Sequence, residues 1–215
     1  MRYCSLLPVL LLLFACRNRE GNINTGQRDQ RKGPAATLHT IALLPFKGAD
    51  KKLTVHIKEG ISKKLNAQVT VLDEMLLPAS AFYKPRQRYI ADSLLGFLRR
   101  ENKDRFEKII GLTAKDISTR KGDIENWGVL GLGSCPGTAC VISSFRAGRS
   151  KVAAAIFRKR MVTLALHELG HTYGLQHCPD KDCLMKDAEG KMALDDADSY
   201  CSKCHNQLLR IGLLN

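Results

Sequence analysis

Apolar residues fall along this chain in two rhythms. In residues 53–66, Leu53, Ile57, Ile61 and Leu65 recur at every fourth position, which gathers them on one face of a helix. A second helical pattern covers residues 87–100, with Ile90, Leu94, Leu95 and Leu98 as its apolar set. A long helix is predicted over 150–173, where Gly174 is placed to end it in the left-handed conformation, and a short one over 204–213. Five segments have strand character instead: 40–46, 69–72, 108–113, 128–133 and 140–145. The predicted order is β-α-β-α-β-β-β-α with a loop-rich tail. That is an α/β fold with a twisted five-stranded mixed sheet. The glycines of residues 128–133 are spaced GxxGxG and do not lead into a helix. They speak against a phosphate loop and fit an edge strand over which another backbone can pass.

The start of the chain breaks the pattern. Residues 6–15 are an apolar run of ten behind Arg2. The run is too short for an ordinary membrane span and reads as the core of a secretory signal. It ends Leu13-Phe14-Ala15-Cys16, which resembles the lipobox of bacterial lipoproteins, although Phe14 stands where a small residue is common. The resemblance implies a signal peptide over 1–15, cleavage before Cys16 and lipidation of that cysteine. The product would be an exported lipoprotein anchored to a membrane of the bacterial cell envelope. A plain signal cut near Ala15, or an uncleaved anchor, is the other reading. Residues 17–37 are polar and lack periodicity, so 16–37 is expected to be a lipidated flexible tether. Some twenty residues of coil reach roughly 25 Å on average. A single folded domain is expected over 38–215.

Composition changes this picture little. Apolar residues make up 44% of the chain, enough for a core of useful size. The net charge of +13 points to an anionic partner without separating nucleic acid, anionic lipid and acidic peptide from a plain basic surface. An export signal argues against nucleic acid within that set.

The chemistry concentrates in one run, His167-Glu168-Leu169-Gly170-His171-Thr172-Tyr173-Gly174-Leu175-Gln176-His177. His167 and His171 are four apart, so a helix puts both imidazoles on one face about a turn apart. Gly174 lets the chain turn sharply, and His177 can return as a third ligand. Three neutral nitrogens leave a fourth zinc position open, the mark of a catalytic site. Glu168 adjoins the first ligand and is free to act as general base on a zinc-activated water, then as proton donor to the leaving amine. HExxH alone arises by accident in helices with two surface histidines. HExxHxxGxxH fixes five residues, and a chance match has a probability on the order of 10⁻⁵ per chain.

Six of the eight cysteines follow the leader. Cys201-Ser202-Lys203-Cys204 lets two thiolates reach one ion, and Cys178 and Cys183 would complete a four-sulfur zinc site. Two disulfides are the rival in an oxidising compartment. His205 is a weaker competitor as a ligand. Cys135 and Cys140 are expected to close a small loop by a disulfide, with two free thiols as the alternative. The acidic residues Asp195, Asp196 and Asp198 read as a solvated or helix-capping cluster rather than a calcium site.

The run from His167 to Cys178, then Cys183-Leu184-Met185, then Cys201-Ser202-Lys203-Cys204, resembles the archaemetzincin family of metzincin zinc metallopeptidases. The resemblance implies two zinc ions. One would be catalytic, at His167, His171 and His177, with Glu168 as general base. The other would be structural, at Cys178, Cys183, Cys201 and Cys204 in a small C-terminal zinc-knuckle lobe. Met185 would be the Met-turn residue beneath the catalytic metal, and Gly174 the turn between ligands. The substrate would be a peptide or protein, laid along the edge strand at 128–133. The stretch between Met185 and Cys201 holds 15 residues, a little shorter than the family pattern. The competing reading is a non-catalytic, zinc-stabilised binding module for an anionic partner. Oligomeric state cannot be read from the chain.

Overall fold

The computed structural model of the protein describes residues 38–148, 152–187, 193–195 and 197–214. The proposed signal, Cys16 and the tether lie outside the described residues, as does Asp196. None of the described helices is long and apolar enough to cross a membrane.

A five-stranded sheet organises the fold. Its strands are β1 (His39–Pro45), β2 (Ala67–Val71), β5 (Lys108–Thr113), β8 (Gly131–Gly133) and β9 (Ala139–Ser143), in the order β2-β1-β5-β9-β8. The first four in that order run parallel, and β8 is antiparallel to β9 at one edge. Both faces are covered, so the inner strands are apolar almost throughout. Ile41, Leu43, Ile110, Leu112, Cys140 and Ile142 point to one side. There they meet helices α1 (Lys51–Lys64) and α4 (Ala154–Thr172). Ala42, Leu44, Ile109, Ala139 and Val141 point to the other side and meet α2 (Ala91–Asn102). The predicted faces hold: Leu53, Ile57, Ile61 and Leu65 are buried, as are Leu94, Leu95 and Leu98. Asp50 caps α1 by accepting the Leu53 N–H at 2.8 Å. The last helix, α5 (Ser202–Arg210), buries Cys204 and Leu208.

The sequence pattern missed a second sheet. Strands β3 (Phe82–Tyr83), β4 (Arg88–Ile90), β6 (Ile117–Lys121) and β7 (Ile124–Val129) form it in that order. The elements differ from those predicted in three places. The helix expected from 87 begins at Ala91, because Gln87 is left-handed and residues 88–90 pair as a strand. The strand expected over 128–133 is one chain shared by two sheets, β7 ending at Val129 and β8 beginning at Gly131. The strand expected to 145 stops at Ser143, whose hydroxyl accepts the Phe145 N–H at 3.2 Å and starts the short helix α3 (Ser144–Ala147).

Helix α4 is held tightly to its neighbours. A methyl added at Gly60 on α1 would stand 2.6 Å from both γ-methyls of Val162 on α4, so the two helices approach through that glycine. Buried Arg160 donates Nε to Asp195 Oδ1 at 2.7 Å, Nη2 to Oδ2 at 2.6 Å and Nη1 to the Ala147 carbonyl at 3.2 Å. That pairing holds the Asp195 carboxyl below the usual carboxylate range.

Two outcomes follow for stability. Gly60→Ala should destabilise the fold by about 1–3 kcal/mol through overpacking, against the ~1 kcal/mol that alanine gains in a helix. Adding Val162→Ala should recover most of the loss in denaturant titrations; no recovery would place the cost elsewhere. Asp195 contributes stability above its unfolded pKa, and that contribution fades as pH falls through the lowered folded value. Asp195→Asn should therefore melt earlier near neutrality and show a flatter dependence from about pH 5 downward. Parallel slopes in the two proteins would contradict this.

Candidate metal centre

The C-terminal half of α4 carries His167, Glu168 and His171. Tyr173 closes the helix, Gly174 takes φ +92°, and its N–H bonds the His171 carbonyl at 2.9 Å. The chain then doubles back, with the Leu175 N–H on the Gly170 carbonyl at 3.0 Å, and delivers His177. The three rings stand together, with centroids 4.8, 5.5 and 4.9 Å apart. The spacing of the sequence motif is thus realised in space.

The ring tautomers are set by their neighbours. His167 Nδ1 lies 2.8 Å from the Leu184 carbonyl, and His171 Nδ1 lies 2.7 Å from the Leu175 carbonyl. A carbonyl only accepts, so each Nδ1 carries the proton and each Nε2 presents a lone pair. Those two Nε2 atoms are 3.1 Å apart. Facing lone pairs repel unless a cation sits between them, and nitrogens about 2.05 Å from a tetrahedral zinc are about 3.3 Å apart. The donor set fits such an ion. His177 Nδ1 faces Asp187 Oδ2 at 3.5 Å, and the three histidines each offer a nitrogen within 4.8 Å of the others. Burial lowers the His171 pKa and pushes that of His167 down to about 4, keeping both rings neutral.

Glu168 is buried, and its carboxyl is pushed up to about 8 by loss of solvent. Its carboxylate lies against the edge strand: a methyl at Gly131 would meet Oε1 at 2.5 Å. A methyl at Gly133 would meet the Glu168 carbonyl at 2.6 Å and His171 Cβ at 3.0 Å. The glycines first read as an open edge therefore serve a close approach of strand to helix. Between strand and helix lies a cleft of about 730 Å³ lined by His167, Glu168, His171, His177 and residues 128–133. Met185 is fully buried beneath the same helix, and a methyl at Gly170 would reach its sulfur at 2.6 Å.

The four later cysteines come together. Their sulfurs all lie within 4.8 Å of one another, and Cys178 and Cys201 are 3.7 Å apart. Thiolates around a tetrahedral zinc at 2.3 Å are about 3.8 Å apart, whereas a disulfide needs about 2.05 Å. No sulfur of the four is bonded to another, which removes the two-disulfide alternative in this structure. The backbone N–H groups of Met185 and Cys201 each donate to Cys183 Sγ at 3.4 Å. The Cys204 backbone N–H holds the Cys201 thiol down to about 7, while burial pushes Cys183 and Cys204 up. Against the expected small-loop disulfide, Cys135 is exposed and Cys140 is buried in β9, both as free thiols. His205 is outside the cluster, and Asp195 and Asp198 pair with Arg160 and Lys159.

A family model described as Peptidase family M54 matches residues 49–210. The chain belongs to peptidase family M54. The archaemetzincin of Methanopyrus kandleri is 31% identical over 154 residues, which cover 71% of this chain and 84% of that one. The crystal structure of that M. kandleri protein superposes with a TM-score of 0.70 at 30% identity, covering 83% of this chain and 97% of its own. The archaemetzincin of Archaeoglobus fulgidus, solved with malonate, gives 0.67 at 26% identity and 78% and 99% coverage. This M54 member is accordingly a zinc metallopeptidase with the mixed five-stranded sheet of the archaemetzincins. What the sequence missed is the far wall of the cleft, built by the β6–β7 hairpin with Trp127, Lys121 and Arg146. The signal for it was a Gly122-Asp123 turn between two alternating stretches.

Gly131→Ala should push the Glu168 carboxylate off its position while leaving the histidines in place. The expected result is a loss of peptidase activity on the order of 10²-fold, with zinc content unchanged. Activity within a few-fold of the parent would show that the strand yields instead.

Proposed function

We propose that this M54 peptidase cleaves peptide bonds with Glu168 as the general base, at a catalytic zinc held by His167, His171 and His177. The observation that carries the reading is the placement of Glu168. Its carboxylate is buried beside two histidine lone pairs, pinned against Gly131 and open to the cleft. A purely structural site gains nothing from a carboxylate there. Zinc at the three nitrogens would supply a Lewis acid for the scissile carbonyl and for an attacking water. Glu168 takes the proton of that water and returns it to the leaving amine. Burial favours the neutral form of Glu168, and a nearby cation opposes that tendency, so the carboxylate is available only in the assembled site. The free edge of β8 offers backbone donors and acceptors to an extended substrate. Met185 and the Leu184 carbonyl hold the histidine helix from below.

The same proposal gives the four cysteines a second, structural zinc within a small C-terminal knuckle. It also makes Cys16 a lipid attachment site after cleavage of residues 1–15, with the catalytic domain tethered by residues 16–37 to a membrane of the cell envelope. The leader pattern alone supports this last part.

The decisive measurement is cleavage of a diverse peptide mixture, read by mass spectrometry. Glu168→Ala should lose about 10²–10⁴-fold in rate while keeping zinc. Zinc content should be two per chain, falling to one in His167→Ala/His171→Ala and separately to one in Cys201→Ser/Cys204→Ser. Two bound zinc ions without cleavage by the parent would favour the non-catalytic binding module. Loss of metabolic lipid labelling in Cys16→Ser is the expected result for the anchor; unlabelled parent protein would dismiss it.

A further inference from the structure

Two guanidinium groups share one carboxylate at the end of the cleft away from the histidines. Asp116, only 8% exposed at its side chain, accepts Arg88 Nε on Oδ2 at 2.8 Å. It also accepts Arg146 Nε on Oδ1 at 2.6 Å and Arg146 Nη2 on Oδ2 at 3.0 Å. Among the described residues neither arginine has another acidic partner, so the trio keeps one positive charge. Arg88 gives its Nη1 to the Asn126 carbonyl at 3.0 Å. Arg146 is the one of the pair that lines the cleft. Its guanidinium lies directly over Gly128, where any β-carbon would collide with it.

Position along the strand gives this charge a meaning. Gly131 touches Glu168, and Gly128 lies three residues earlier on the same chain. At about 3.3 Å per strand residue the two glycines are roughly 10 Å apart, so Arg146 and the proposed base flank stretches of the cleft separated by about two or three residues of an extended peptide. The β6–β7 hairpin adds Arg120 and Lys121 to the same wall, and Lys121 Nζ stands 5.3 Å over the Trp127 ring. The hairpin's own acids, Asp123 and Glu125, do not line the cleft. Asp92, which accepts the Thr119 hydroxyl at 2.7 Å, does not line it either. The carboxylates that do line it, Glu168 and Asp187, lie at the histidine end, where Lys186 lines it too. Charges of both signs thus meet at the histidine end while the hairpin wall presents cations, and a concave low-dielectric wall focuses such a field.

We propose that this wall is a subsite for a carboxylate of the peptide substrate, two or three residues from the scissile bond, bound by Arg146 and Lys121. The subsite rests on the peptidase reading for its substrate, while its charge preference is a binding property that stands apart from turnover. The carboxylate is an Asp or Glu side chain or the C-terminus of a short peptide; a guanidinium recognises both in the same way. Trp127 is the chain's single tryptophan, so its fluorescence reports occupancy of this wall.

The test uses the zinc-loaded full-length chain carrying Glu168→Gln, titrated by Trp127 fluorescence with one cleavable peptide sequence in four forms. Glu or Gln stands two or three residues from the cut, and the C-terminus is free or amidated. A carboxylate at the right place should tighten binding about tenfold, the worth of one charge-assisted hydrogen bond, and the advantage should shrink in high salt. Preference for Glu over Gln identifies a side-chain subsite; preference for the free acid over the amide identifies a terminal one. Arg146→Gln should bring the ratio towards one, and Lys121→Gln, on the exposed hairpin, should lower it without touching Asp116. Equal affinity for all four forms, with the parent cleaving them, overturns the subsite and leaves the peptidase standing. Charge preference in binding without cleavage by the parent keeps the subsite and removes the peptidase. No saturable binding of any form removes the subsite as well.

Discussion

The structure depends on bringing three imidazole rings together. Two of them come from one helical face, which fixes their separation, and the third must return from beyond the helix end. The left-handed Gly174 makes that return possible within three residues. Convergence also demands that α4 be held still on every side, because a lone-pair spacing of 3.1 Å leaves no slack. The grip is made by absent side chains as much as by present ones. Gly60 lets α1 in, Gly131 and Gly133 let the edge strand in, and Gly170 lets Met185 in from below. Each substitutes backbone contact for a side chain that could repack, so the helix has no alternative seat of similar energy.

The cysteine cluster belongs to the same constraint. The carbonyl that orients His167 is that of Leu184, between Cys183 and Met185. That segment is clamped by the Cys178 N–H on the Met185 carbonyl at 2.8 Å and by the Leu184 N–H on the Ser199 carbonyl at 2.8 Å. Gathering four sulfurs around one centre therefore fixes the tautomer of His167 some residues away. At the other end of the turn, Lys108 donates to the carbonyls of Gly137 and Thr172 at 2.9 and 3.1 Å, satisfying a terminal helix carbonyl beside the Tyr173 ring. Burial lowers its pKa, yet a cation at a helix C-terminus also meets the dipole favourably.

The parts of the site that were readable in sequence are those set by spacing along one chain segment. The i, i+4 histidines, the glycine after them, and the CxxC pair each state a local geometry that tertiary structure did not override. The four-residue repeat of Leu53 to Leu65 and the apolar runs of the parallel strands were readable for the same reason. Contacts between distant segments carry no such periodicity. Strands of two or three residues, such as β3 and β4, are too short to show alternation, so the second sheet was invisible. The glycines at 128–133 were correctly placed at an edge, but their purpose lies in α4, more than thirty residues away. Arg160 with Asp195, and Arg88 with Arg146 on Asp116, are pairings that only folding reveals.

The chain between 124 and 133 joins these observations. It starts as the outer strand of the small sheet and ends as the outer strand of the large one, changing allegiance at Leu130, whose carbonyl accepts the Ser143 N–H at 2.8 Å. A single backbone is thus pressed against Arg146 at Gly128 and against Glu168 at Gly131. An extended segment transmits displacement along its axis with little compliance, since its hydrogen bonds on one side fix register. The hairpin end of the cleft cannot shift without altering the packing around Glu168. A peptide that seats well at one end therefore meets Glu168 already held in register at the other. That supplies the orientation on which rate depends more than on affinity alone.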